Sequence, residues 1–244
     1  MTISPDLSAA GTAAGGALAA YLLLGEPWLG RRMYASLARH RDARPRALVR
    51  YFTFSIVCWW ALAASAVAVL LLSPGTSAAD FGLAPPDDAA YTALLVLLFG
   101  VVAAVSGRHF HALARQGKHI PGRDAVAAML PRTAAERRLA VAAAVTDGLC
   151  AELLYRGLLI AFGVGALGLP LYAAAAVSVA VYAVAGWYQG GTGVAVFALF
   201  GTLLTGLYLA TGSLLLPVAV HVMISVRDLT LPAPEPARAP GGAA

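Results

Sequence analysis

Residues 150–157 read CAELLYRG, which sets a carboxylate, Glu152, and a guanidinium, Arg156, four residues apart inside an apolar run. On a helix that spacing puts both on one face, where they can pair. Either charge alone costs about 2.5–3.5 kcal/mol or more near a bilayer centre, so such residues mark function or a packing ion pair. His221 lies within a second apolar run, LLLPVAVHVMISVRDL, and imidazole is the side chain best matched to proton transfer near neutral pH. Asp147 stands four residues before Ala151, on the same helix face and about 6 Å along the axis. A carboxylate there, desolvated by its apolar surroundings, has the chemistry of a base that works with His221. Ser225 follows His221 by one turn, but it becomes a nucleophile only with a histidine base, and no serine-protease arrangement is evident.

These side chains must be positioned by membrane helices. The chain is 60% hydrophobic and only 12% charged over 244 residues, against about 25% charged in a soluble domain. Its apolar blocks are about twice the roughly ten residues of a transmembrane β-strand. The expected fold is all-α, a polytopic membrane helical bundle with about seven spans near 7–25, 51–73, 89–107, 139–161, 170–187, 193–209 and 213–230. Residues 1–230 are expected to form a single transmembrane domain. The tail 231–244, rich in Pro and Ala, is expected to be disordered. Gly11 and Gly15 in the first span have the spacing of close helix packing. Cys58 and Cys150 lie in apolar spans and read as packing residues, with no disulfide framework or zinc spacing.

Charge patterning orients the bundle. Arg31, Arg32, Arg39, Arg41, Arg44, Arg46 and Arg50 follow the first span, and Arg108, Arg115, Lys118, Arg123, Arg132, Arg137 and Arg138 lie around and between the third and fourth. The segment SPGTSAADFGLAPPDDA after the second span has three aspartates and no Lys or Arg. The positive-inside rule then puts the N-terminus outside and the C-terminus in the cytoplasm, in the cell membrane. Topology and anionic headgroups account for the basic clusters, so membrane lipids are the expected partners and nucleic acid is not. His109 and His111 in the second cluster lack a third ligand, and neither a metal nor a cofactor is expected.

The stretch GLCAELLYRGLL resembles the first motif of the CAAX prenyl protease and bacteriocin-processing (Abi) family of intramembrane endopeptidases: two adjacent glutamates, three residues and an arginine. The second motif, an aromatic residue, three residues and a histidine, falls on Tyr182 to Gly186, within VYAVAGWYQGG. The third, a histidine, three residues and an asparagine or aspartate, falls on His221 to Ser225. The flanking PRTAAERRL and WYQGG are also family-like, and the resemblance covers about residues 130–230. It implies hydrolysis of membrane-associated proteins or peptides. In the family the first glutamate and second-motif histidine activate water, and the third-motif pair stabilises the oxyanion.

Three motif positions depart from the pattern: Ala151 replaces the first glutamate, Gly186 the second-motif histidine and Ser225 the asparagine. Alanine and glycine carry no proton acceptor. Glu152, Arg156, Tyr182 and His221 remain, and Glu152 lies about 100° around the helix from Ala151. Three readings are therefore open: a peptidase whose base has moved, Asp147 being the candidate; a non-catalytic relative that holds a membrane peptide, lipid or partner protein; and a transporter with Glu152, Arg156, Asp147 and His221 along a polar path.

Overall fold

The computed structural model describes residues 1–120 and 122–232. Among them the chain is helical with no strand, which matches the expected class. The chain past residue 232, including most of the tail expected to be disordered, lies outside the described residues.

The first helical rod comprises α1 (Ala9–Ala20), a π-helical turn (Tyr21–Gly25) and α2 (Glu26–His40). Ser8 starts it, its hydroxyl accepting the Gly11 N–H at 3.0 Å. Pro27 explains the π turn: its nitrogen has no hydrogen to donate and its ring crowds the carbonyl one turn back, so the rod widens there instead of breaking. Gly15 lies where an added Cβ would stand 2.9 Å from Phe162 Cδ2, the close packing its spacing suggested. Helices α3 (Ala47–Leu71) and α4 (Ala89–Arg115) follow. Leu94, Leu97, Leu98, Val101, Val102 and Val105 of α4 are all more than half exposed. In water such a stripe would be a liability, whereas against lipid it is the ordinary outer face.

Thr133 caps α5 (Ala134–Glu152) by accepting the Glu136 N–H at 3.2 Å. A second π turn (Leu153–Leu158) and α6 (Leu159–Gly165) complete this rod. It starts five residues earlier than expected, and Asp147 lies well inside the helix. This rod is the centre of the bundle: α5 packs on α3 and α9. Its most apolar window is 72% buried, against 11–28% in the other membrane-length helices. Helices α7 (Leu171–Ala185) and α8 (Gly190–Thr211) are joined through Gly186–Gln189 and Gly190, whose φ is +78°. Tyr182 stacks on Phe197, and Gly186 meets Gly193, so α7 and α8 run antiparallel. α9 (Leu215–Leu229) closes the bundle.

By length and composition four helices can cross a membrane: Ala47–Leu71, Ala89–Arg115, Ala134–Gly165 and Leu171–Thr211. The last is two legs that fold back on each other. α9 has 15 residues, short of the roughly 20 that cross a bilayer core. The protein is thus a polytopic helical bundle with at least these four apolar crossing elements.

Candidate active site

Glu152 and His221 are wholly or almost wholly buried, at 0% and 2% exposure, and Arg156 is also at 0%. The Glu152 Oε1 atom accepts from Arg156 Nη1 at 3.0 Å and contacts His221 Nδ1 at 2.7 Å. An ionised carboxylate can only accept, so His221 Nδ1 is the proton-bearing nitrogen. This leaves Nε2 as the working end, and it stands 3.4 Å from Asp147 Oδ2. That distance is within ion-pair range but loose for a hydrogen bond, as catalytic contacts in unliganded sites often are. The Asp147 side chain is 40% exposed, so this end of the cluster is open while the Glu152 end is sealed.

The i,i+4 spacing of Glu152 and Arg156 forms the expected pair, and tertiary contacts satisfy the rest of the guanidinium. Its Nε donates to Thr205 Oγ1 at 3.3 Å and Nη2 to the Gly201 carbonyl at 3.1 Å, both on α8. The Tyr182 ring covers it at 4.4 Å, a cation–π contact made stronger by desolvation. Gly201 is required: a Cβ there would stand 2.8 Å from Tyr182 Cδ1. Tyr182 and Phe200 also meet the His221 ring edge-on, at 6.4 and 5.1 Å. The imidazole is therefore held by Glu152 at one nitrogen and by two aromatic walls.

The departed motif positions behave differently. Ala151 is buried in the central apolar cluster beside Tyr155 and Tyr182. Gly186 is sealed against α8, where a Cβ would stand 2.6 Å from the Gly193 carbonyl oxygen and 2.8 Å from Phe197 Cγ. A histidine side chain has no room at that position. Ser225 enters none of the hydrogen bonds around His221. Among the described residues no group of three or more His, Cys, Asp or Glu side chains is placed to hold a metal ion.

Three features were missed in the sequence. Thr205 is 5% exposed within an apolar helix, and a polar residue so placed was a readable signal. Glu26 ends the apolar run YLLLGEPW; its Oε2 is buried and has no hydrogen-bond partner. The third is a clasp between Arg41 and Glu136, two bonds at 3.0 and 2.9 Å with both side chains 6% exposed. Arg41 also donates to the carbonyls of Ala128 and Leu130, and Glu136 Oε2 accepts the Arg132 N–H at 2.7 Å. This clasp ties the end of α2 to the start of α5.

No curated protein and no solved structure matches the chain. Residues 134–226, from the start of α5 to near the end of α9, match the family model described as type II CAAX prenyl endopeptidase Rce1-like. That segment holds Asp147, Glu152, Arg156, Tyr182 and His221, and through it the chain is similar to the CAAX prenyl protease family.

Proposed function

We propose that this protein is an intramembrane peptidase that hydrolyses a membrane-associated protein or peptide, with Asp147 taking over water activation. The observation that carries this reading is the 3.4 Å approach of Asp147 Oδ2 to His221 Nε2 at the open end of the cluster. Asp147 takes a proton from water as the water oxygen bonds to the scissile carbonyl carbon. Between the Glu152 and Asp147 carboxylates His221 acts as the imidazolium, with a proton on each nitrogen, and its Nε2–H donates to the oxyanion that develops, a contact worth most in a water-poor site. The proton on Asp147 then passes to the amide nitrogen as the C–N bond breaks, leaving a carboxylic acid and an amine. Glu152 orients His221, and Arg156 neutralises Glu152; both are positioning residues.

Seven crossings, with the N-terminus outside and the C-terminus in the cytoplasm of a cell membrane, go with this reading. The Asp87 N–H donates to the Thr211 carbonyl and the Leu214 N–H to that of Gly82, which supports one common side for the acidic segment and the α8–α9 turn. Arg123 donates to the Pro232 carbonyl, which supports the opposite side for the basic segment and the end of α9. Around Arg44, Arg46 and Arg50 a groove of about 670 Å³ with Met33, Leu37 and Phe54 in its wall suits anionic headgroups.

A second reading, a non-catalytic relative that binds a membrane peptide, draws on Ala151 and on the Gly186–Gly193 packing. One experiment separates the two: cleavage of prenylated and unprenylated peptides by the purified protein in liposomes. Cleavage that Asp147→Asn and His221→Ala each reduce by about 100-fold or more supports the peptidase. Peptide binding without cleavage, unaltered by Asp147→Asn, supports the binder.

A further inference from the structure

We propose that the groove between α2 and α3 is a binding site for one anionic phospholipid, with its phosphate held by Arg44, Arg46 and Arg50 and an acyl chain laid along α3. The groove is built from two helix faces. Met33, Leu37 and His40 on α2, and Ala47, Arg50 and Phe54 on α3, line it at intervals of three and four residues, which on a helix is one face each. Residues 43–46, which connect the two helices, complete the lining. The volume of about 670 Å³ is that of a small-molecule site.

The arginines of this groove have no counter-charge in the protein. No Asp or Glu lines it, and among the described residues none of the three forms an ion pair. Asp42, the nearest acid in sequence, is taken by Arg132 at 2.6 Å. Guanidinium groups bind phosphate oxygens through paired N–H donors. Three of them in one groove suit a headgroup with two negative charges better than one with a single charge. The segment that carries Arg44 and Arg46 is also fixed in advance. The Arg44 N–H donates to the His40 carbonyl and the Ala47 N–H to that of Arg44, both at 3.0 Å. Just before them, Arg41 is clasped to Glu136. Binding then costs little ordering of the chain.

The apolar part of the groove makes the expected anion an amphiphile. Arg50, Phe54, Val57 and Ala61 recur at four, three and four residues along α3, so they share one face, and all four are exposed. Phe54 is 49% and Val57 61% exposed. α3 is long and apolar enough to cross a membrane, so this face runs from the headgroup level at Arg50 into the hydrocarbon. Charge followed by hydrocarbon is the order in which a phospholipid presents its phosphate and chain. A free phosphate would leave Met33, Leu37 and Phe54 without a partner. General attraction of basic segments to anionic leaflets requires no particular groove, whereas this arrangement places one lipid in one site. The site stands whether or not the protein cleaves peptides.

The test is native mass spectrometry of the full-length protein released from detergent micelles, titrated with phosphatidic acid, phosphatidylglycerol or phosphatidylcholine. One phosphatidic acid is expected to bind more tightly than phosphatidylglycerol, and phosphatidylcholine most weakly. Arg44, Arg46 and Arg50 are exposed, so Arg44→Gln, Arg46→Gln and Arg50→Gln keep the fold, and each is expected to weaken phosphatidic acid about 10-fold. The triple variant Arg31→Gln, Arg137→Gln, Arg138→Gln removes three charges elsewhere and is expected to leave binding unchanged. Equal loss in both sets would reduce the site to the general charge of the surface and overturns it. Phe54→Ser is expected to weaken phosphatidic acid about 10-fold. Binding that ignores Phe54→Ser and is displaced by inorganic phosphate overturns the lipid and assigns the arginines to a free anion. Phosphatidylcholine binding as tight as that of phosphatidic acid overturns the role of the arginines.

Discussion

Gly186 and Gly193 meet backbone to backbone, with no room for a Cβ on Gly186 between the carbonyl of Gly193 and the ring of Phe197. The position that carries a histidine in the family motif is here a helix-packing contact. Gly186→Ala is therefore expected to destabilise by about 1–3 kcal/mol, the ordinary cost of overpacking. Gly186→His is expected to unfold the α7–α8 hairpin. Thermal unfolding in detergent checks both, and a Gly186→His protein as stable as the wild type would refute the packing. Restoring the motif as Ala151→Glu, Gly186→His is accordingly expected to give no gain in cleavage.

The Glu152–Arg156 pair is fully buried, so removing one partner strands the other. Arg156→Met is expected to cost about 3–5 kcal/mol, whereas the double variant Glu152→Gln, Arg156→Met recovers a large part. A double-mutant cycle on chemical unfolding measures the coupling. A sum of independent effects would show that the pair is not a unit.

Arg41 holds Glu136 through two parallel bonds and satisfies two carbonyls besides. Lysine cannot reproduce that planar fork. Arg41→Lys is expected to lower stability by about 1–3 kcal/mol and to loosen α2 against α5. Hydrogen exchange at the α2 amides should rise in step, and exchange confined to the 124–130 segment would argue against a role in placing α2.

Asp80 binds the first residues of the chain to the acidic segment. Burial pushes its carboxyl up, but the Ser77 hydroxyl and the Ser4 and Ser77 amides donate to it at 2.7–2.9 Å. They outweigh burial and hold it below the usual carboxylate range. A carboxyl depressed in the folded state stabilises fully above its unfolded pKa of about 3.9, and that stability is lost as pH falls through the folded value. Melting temperatures should therefore differ most between wild type and Asp80→Asn near pH 7, and the gap should narrow as pH falls below about 4. A gap independent of pH would rule this out.

The membrane class, the helical fold and the Glu152–Arg156 pair were legible in the sequence because each rests on local arithmetic. Apolar blocks of crossing length report their own surroundings, and an i,i+4 spacing on a helix brings two side chains together wherever the helix packs. The Asp147 hypothesis was legible for the same reason, since helical periodicity places it on the face of Ala151. Thr205 was readable as a polar residue in an apolar helix but had no local partner to give it meaning.

Other relationships were decided by the tertiary structure. That His221 turns one nitrogen to Glu152 and the other to Asp147 depends on how α9 packs against α5. The burial of Gly186 depends on α8 folding back along α7. Glu26 beside Pro27 reads in sequence as the acidic first turn of a helix. That its Oε2 is buried without a hydrogen-bond partner is decided by the packing of the bundle around it. Residue spacing sets which groups share a helix face. Which faces meet is set by packing across distant segments, and no local pattern encodes it.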